Sequence, residues 1–102
     1  LKAVILQNLA ETELDVDRLS CLMNMSRRNL FRRIKSSTGL SPRELINEIR
    51  LRTAKDLLLD SDMKMYEIAD EVGFKSRIVF TRNFTRFYSM SPTGFLKKHK
   101  SG

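Results

Sequence analysis

Apolar positions recur at helical spacing through most of the chain, and the longest such pattern covers residues 41–59, SPRELINEIRLRTAKDLLL. Its apolar residues form one stripe along a helix: Leu45, Ile46, Ile49, Ala54, Leu57 and Leu58. Ser41 suits the N-cap position, and Pro42 suits the first helical position because a missing N–H costs nothing there. The pattern predicts a long connecting helix whose stripe packs against elements on both sides.

The residues before this helix predict two short helices. The first covers residues 2–11, and the second can be capped by Asp15 or Asp17. Apolar residues of the second helix share one side: Val16, Leu19, Leu22 and Met23. Asn24 follows, a residue type that tolerates a left-handed backbone and therefore a tight turn.

A basic helix comes after this turn. Ser26 suits the N-cap of RRNLFRRIKSST, and Gly39 suits the C-terminal end. A short helix, a tight turn and a second helix form the helix-turn-helix pattern.

The chain repeats this arrangement after residue 59. Met65 to Val72 predicts a short helix, Gly73 supplies the turn, and Ser76 suits the N-cap of RIVFTRNFTRFY. An offset of 50 residues aligns the two copies, whereas the preceding short helices align at 49, so the second turn has one extra residue. The aligned pairs are Ser26 and Ser76, Arg27 and Arg77, Leu30 and Phe80, Arg32 and Arg82, Ile34 and Phe84, Ser41 and Ser91, Pro42 and Pro92, and Leu45 and Phe95. An internal duplication is a stronger signal than either half alone.

We therefore predict an all-α chain in three parts. A first helix-turn-helix subdomain covers 1–40, the connecting helix covers 41–59, and a second helix-turn-helix subdomain covers 60–102.

Charge alternates along the chain in two cycles. The whole chain carries 19 Lys and Arg against 12 Asp and Glu, a formal net charge of +7. Residues 26–55 hold nine Lys and Arg against two acids, and residues 74–102 hold seven with no acid. Residues 1–25 and 56–73 are net acidic. The two basic blocks contain the two basic helices, which favours a polyanionic partner.

Other chemistry is sparse. His99 is the single histidine, no Gly-rich phosphate loop is present, and the DSDMK segment lacks the glycine and the terminal glutamate of a calcium loop. We therefore expect no enzyme activity, no metal and no cofactor. Cys21 is the only cysteine, which rules out an intrachain disulfide, and we expect it to be buried on the second helix. No apolar run reaches the ~18 residues of a membrane span, so we expect no membrane contact.

Helical geometry divides each basic helix into two faces. In the first, Leu30 and Ile34 define the core, so Arg28 and Arg32 point outward and Phe31 lies on the flank. In the second, the core direction is set by Phe80, Phe84 and Phe87. Ile78 and Arg82 then point outward, and Thr81 lies on the flank.

These outward residues suit the edges of DNA bases. Arg32 and Arg82 have the reach and geometry to bind guanine O6 and N7 in a major groove, and Ile78 can pack on a thymine methyl. Arg27 and Arg77, at the helix starts, suit phosphate. The two half-sites on DNA should therefore differ in sequence.

The sequence resembles the AraC/XylS transcriptional regulators along almost its whole length. The segments that carry the resemblance are MSRRNLFRRIKSSTGLSPREL, IRLRTAKDLLLDSDMKMYEIADEVGF and FTRNFTRFYSMSPTGFL. The SRRNLFRRIK segment is similar to the regulator end of hybrid two-component systems of Bacteroidetes. Two positions differ from the usual family pattern: Ser20 stands where the family usually has alanine, and Asn24 where it usually has glycine.

The resemblance implies seven helices and sequence-specific binding of double-stranded DNA by a transcriptional regulator. Its recognition helices correspond to residues 27–37 and 77–88, which would enter successive major grooves. The base-reading residues that it implies are Arg28, Phe31, Arg32, Arg77, Ile78, Thr81 and Arg82. The phosphate contacts that we predict are Arg27, Ser41, Arg50, Lys75, Arg86 and Ser91.

Two alternatives stay open. The acidic segment from Asp56 to Glu71 and the first helix could dock a protein, and RNA could replace DNA, although its single strands require exposed aromatic platforms. Besides DNA, the expected partners are RNA polymerase and upstream sensor or receiver domains of the same polypeptide. Leu1 in place of an initiator methionine suggests a piece of a longer protein. We expect a cytoplasmic, nucleoid-associated location, with a membrane-anchored parent if it is a hybrid two-component system.

Overall fold

The computed structural model describes residues 1–100 and the side chains of residues 1–99. Within them the chain forms seven α-helices and no strand: α1 (Lys2–Gln7), α2 (Val16–Leu22), α3 (Arg27–Thr38), α4 (Pro42–Asp60), α5 (Met65–Glu71), α6 (Arg77–Tyr88) and α7 (Pro92–Lys100). The predicted all-α fold of seven helices is confirmed. Positions 101 and 102, the end of the predicted second subdomain, lie outside the described residues.

The chain divides into two compact units, Leu1–Ile49 and Arg50–Gly102, called the first and the second unit below. The division falls inside α4, the helix that the sequence assigned to a separate connecting segment at 41–59. Buried residues of α4 therefore belong to both units: Ile46 and Ile49 to the first, and Leu51, Ala54 and Leu58 to the second.

Helix α1 is shorter than the sequence predicts, because it ends at Gln7 rather than near residue 11. The Asn8 side-chain Nδ2 donates to the carbonyl oxygen of Val4 at 2.8 Å. Beyond it the chain continues in tight turns, in which Leu9 N–H donates to Leu6 O at 3.4 Å. Asparagine competes for backbone hydrogen bonds in this way and so favours helix ends.

The two helix-turn-helix turns have the same hydrogen bonds at equivalent positions. Asn24 and Gly73 both have left-handed backbones, with φ of 54° and 88°. The next residue in each turn donates its N–H back across five residues, Met25 to Ser20 at 3.0 Å and Phe74 to Ala69 at 2.9 Å. This pattern is the Schellman ending of a helix. The extra residue in the second turn is therefore Lys75, which is exposed.

The predicted caps of both basic helices are confirmed. Ser26 Oγ accepts a hydrogen bond from Asn29 N–H at 3.1 Å, and Ser76 Oγ accepts one from Val79 N–H at 3.2 Å. Of the two candidate caps for α2, Asp15 is the one used, because its carboxylate accepts from Arg18 N–H at 2.9 Å.

The expected burial of Cys21 is wrong, because Cys21 is exposed. Helix α2 turns Leu19 and Ser20 inward instead. Ser20 is 7% exposed, and its hydroxyl donates to Asp17 O at 2.8 Å, so the serine fits where the family usually has alanine.

The assignment of Phe87 to the core is also wrong, because this side chain is 43% exposed. The buried stripe of α6 continues from Phe80 and Phe84 to the half-buried Tyr88, whose ring centroid lies 4.7 Å from that of Phe84. Phe87 meets Tyr88 edge-on at 4.8 Å from outside that stripe.

Candidate nucleic-acid interface

The face of α3 opposite the core carries the first predicted set of base-reading residues. Leu30 and Ile34 are completely buried, which directs Arg28 and Arg32 to the surface. Phe31 lies beside them and is 47% exposed. These three residues, with Lys35 and Ser36, line an open depression of about 530 Å³. The structure thus brings the predicted trio together on one basic face.

Phe31 also borders a second, smaller depression of about 290 Å³ beside α2. Its lining residues are Val16, Arg27, Arg28 and Phe31. Phe31 thus gives this part of the surface an exposed apolar group beside two exposed arginines.

Arg27, the predicted phosphate contact at the start of α3, forms an ion pair. Its Nε lies 2.7 Å from Oδ1 of Asp17 on α2, and both side chains are more than half exposed. An exposed pair of this kind contributes about 0.2–1 kcal/mol to stability. The pair therefore competes only weakly with a phosphate group for Arg27.

The equivalent face of α6 is less charged. Phe80 and Phe84 are completely buried and fix the orientation of the helix, while Ile78 is 71% exposed and Thr81 is half-buried. Arg77 and Arg82 are exposed. All four predicted base-reading residues of α6 therefore reach its surface, two of them as cations.

Ser41 and Ser91 cap α4 and α7 and differ in their surroundings. Ser41 Oγ accepts from Glu44 N–H at 3.2 Å, and Glu44 Oε1 accepts from Ser41 N–H at 3.0 Å. The hydrogen bonds from the Ser41 backbone and side chain lower the pKa of Glu44. The start of α4 therefore already contains a carboxylate.

The start of α7 has no such carboxylate, because Gly94 occupies the position equivalent to Glu44. Ser91 Oγ accepts from Gly94 N–H at 3.0 Å. The N-terminus of α7 is therefore a better candidate for an anion site than the N-terminus of α4, which already contains a carboxylate.

Arg50 is buried, contrary to its predicted contact with phosphate. The sequence assigned it to a phosphate, but its side chain is only 7% exposed and lies inside the second unit. Nη1 donates to the carbonyl oxygen of Gly73, and the guanidinium lies 6.0 Å from the Phe74 ring centroid. Burial lowers its pKa. Its position four residues after Ile46, on the apolar stripe, was the signal for this burial.

The two remaining predicted phosphate contacts, Lys75 and Arg86, are exposed. Arg86 lies in the last turn of α6, and Lys75 lies in the turn before that helix.

Residues 19–98 match a family described as a helix-turn-helix domain. The chain belongs to the AraC-type helix-turn-helix family of DNA-binding domains. It is 40% identical over 88 residues to the HTH-type transcriptional regulator MtrA of Neisseria gonorrhoeae, covering 86% of this chain and 29% of that protein. It is 32% identical over 96 residues to Histidine kinase P4 of Formosa agariphila, covering 94% of this chain and 7% of that protein.

The fold of this AraC-type chain is similar to the DNA-binding domain of AdpA, a global transcriptional factor whose crystal structure contains a target DNA. The TM-score is 0.88 at 32% identity, covering 97% of this chain and 88% of that one. The chain thus spans less than a third of the length of the two curated relatives. None of the helices within residues 1–100 combines the length and the apolar character that a membrane span requires.

Proposed function

We propose that this domain binds double-stranded DNA at specific sequences for a transcriptional regulator, with α3 and α6 each entering a major groove. The observation that carries the proposal is the matched placement of Arg32 and Arg82. Both are exposed on serine-capped helices, and the opposite face of each helix carries completely buried residues. Each helix therefore holds its matched arginine toward a partner from a fixed backbone.

Each recognition helix combines groups that read bases with groups that bind phosphate. The proposed base contacts are Arg28, Phe31 and Arg32 on α3, and Arg77, Ile78, Thr81 and Arg82 on α6. The proposed phosphate contacts are Arg27, Lys75, Arg86, Ser91 and, more weakly because of Glu44, Ser41. Phosphate contacts fix the position of a protein on the duplex, whereas contacts to base edges select the sequence.

Titration of a duplex at several salt concentrations tests the electrostatic part of the proposal. We expect the logarithm of the binding constant to fall with the logarithm of salt, by about 0.9 per phosphate neutralised. Arg86→Ala should reduce this slope by about one phosphate contact without changing sequence preference. Lys2→Ala is the matched control, because Lys2 is an exposed cation on α1. A slope near zero in the unmodified chain contradicts the proposal.

The similarity to a histidine kinase supports a longer parent protein in which sensor or receiver domains control this domain. A parent of that kind would be a hybrid two-component regulator that acts on chromosomal DNA in the cytoplasm. Attaching a receiver domain and comparing DNA affinity with and without its phosphorylation tests this arrangement. Equal affinities would contradict it.

A second function, docking of a protein such as RNA polymerase, is favoured by one observation. Tyr66 on α5 is 59% exposed in a segment that is net acidic. Tyrosine is enriched at the centres of protein interfaces. In a transcription assay with purified polymerase, Tyr66→Ala should lower activation while DNA affinity stays unchanged. Loss of DNA affinity in that variant would place Tyr66 in the DNA interface instead.

A further inference from the structure

The first turn of α6 exposes an isoleucine that its surroundings do not explain. Ile78 is 71% exposed, the highest value recorded among the large apolar side chains of the described residues. Thr81 and Arg82 lie three and four residues further along and therefore share its side of the helix. Since residues 74–102 contain no acid, the surrounding surface is basic. A basic surface with an apolar centre fits a polyanion that presents an apolar group.

Double-stranded DNA presents such a group in one place. In the major groove the base edges offer hydrogen-bond donors and acceptors, and the C5-methyl group of thymine is the apolar exception. Ile78 has no donor or acceptor in its side chain, so contact with a methyl group is the discriminating interaction available to it. A C5-methyl group on cytosine occupies the same position on the ring and presents the same surface.

We infer that Ile78 reads the C5-methyl group of a pyrimidine, so that α6 selects thymine and accepts 5-methylcytosine in its place. This inference rests on the proposed DNA binding and specifies what the second unit recognises. The equivalent position of α3 is Arg28, whose guanidinium instead donates hydrogen bonds. The two recognition helices therefore read chemically different base edges.

The structure holds Ile78 in place for this role. Ser76 caps α6 through Val79 N–H at 3.2 Å, and Phe80, two residues after Ile78, is completely buried. The β-branched side chain has few rotamers in a helix, so little conformational freedom is lost when it is covered. A flexible side chain such as methionine at this position would discriminate less.

The test begins with selection of preferred duplexes from a random library by this chain and by Ile78→Ala. The base under Ile78 is marked by any position at which the unmodified chain shows a base preference and the Ile78→Ala variant does not. At each such position, affinities are then measured for thymine against uracil and for 5-methylcytosine against cytosine. Each comparison changes the methyl group alone.

We expect the methylated base to bind about fourfold more tightly in both comparisons, the gain for burying one methyl-sized group. Ile78→Ala should abolish both differences, and Ile78→Val should keep most of them. Leu6→Ala is the matched control, because Leu6 is an aliphatic residue of α1 in the first unit and is 44% exposed, and it should keep both differences. Circular dichroism of each variant verifies the helical fold.

Three outcomes overturn the inference. If the chain binds duplexes but treats thymine and uracil alike, Ile78 does not read a methyl group and the proposed DNA binding stands. If thymine is preferred to uracil but 5-methylcytosine is not preferred to cytosine, the wider claim for methylated pyrimidines is wrong. If no duplex is bound, both the proposed function and this inference are wrong.

Discussion

Arg50 Nη1 donates a hydrogen bond to the carbonyl oxygen of Gly73, 23 residues further along the chain and at the turn between α5 and α6. Gly73 has a φ of 88°, so the carbonyl that accepts this bond belongs to the left-handed residue of the turn. A buried cation thus ties α4 to the turn that orients the recognition helix of the second unit.

Replacing Arg50 should destabilise the second unit. Arg50→Ala leaves the Gly73 carbonyl without this charged donor, and hydrogen bonds to charged groups contribute about 1.5–3 kcal/mol. We expect a loss of that size in the free energy of unfolding, measured by urea denaturation. Arg52→Ala is the matched control, because Arg52 is exposed on the same helix and its loss should change stability by less. Equal losses would show that the buried bond has no special role.

Replacing the two outward arginines should separate the two half-sites. Arg32→Ala should relax base preference in one half of the selected sequence and Arg82→Ala in the other, each by about 1–3 kcal/mol of discrimination. Selection from a random duplex library measures both preferences. If both variants lose preference at the same bases, the two helices do not read separate half-sites.

Removing the carboxylate of Asp17 should strengthen DNA binding. Asp17 pairs with Arg27 at 2.7 Å, and the loss of an exposed pair of about 0.2–1 kcal/mol makes the guanidinium more available to a phosphate. Asp17→Asn should tighten binding by up to about fivefold at low salt and less at high salt. Glu13→Gln is the control. It removes an equal charge from an exposed side chain that precedes the Asp15 cap. An equal gain in both variants would show a general charge effect.

The start of α4 should lose stability in acid. The pKa of Glu44 is lowered from its ordinary 4.5, first by the Ser41 backbone hydrogen bond and then by the Ser41 hydroxyl. A carboxylate whose folded pKa is depressed stabilises the fold above its unfolded pKa, and this contribution is lost as the pH falls through the folded pKa. Thermal unfolding from pH 7 to pH 3 should therefore show a smaller acid-induced loss in Glu44→Gln than in the unmodified chain. Parallel curves would contradict this contribution.

Local chemistry made much of the fold predictable. Ser26 and Ser76 were recognisable caps, and Asn24 and Gly73 were recognisable left-handed turns, because each acts on backbone groups within a few residues. The duplication supplied further information, since a face derived for one basic helix could be compared with its equivalent in the other.

Contacts between distant segments were the part that the sequence did not predict. Whether Arg50 faces water or a carbonyl 23 residues away depends on tertiary packing, and charge alone suggested a phosphate. The exposure of Cys21 likewise depends on which side of α2 meets the core. The proposed base-reading residues lie on helices fixed by local signals, which is why their exposure agrees with the predicted faces.

The chemical difference between Arg28 and Ile78 at matching positions has a consequence for the order of the two half-sites. Two recognition helices that carried the same residues would prefer the same bases, and exchanging the half-sites would leave affinity unchanged. In this chain one of the matched positions carries a cation and the other a hydrocarbon. Under the proposed DNA binding, an exchange of the half-sites therefore places each side chain against the wrong base edge, and a site rearranged in this way should bind the domain more weakly.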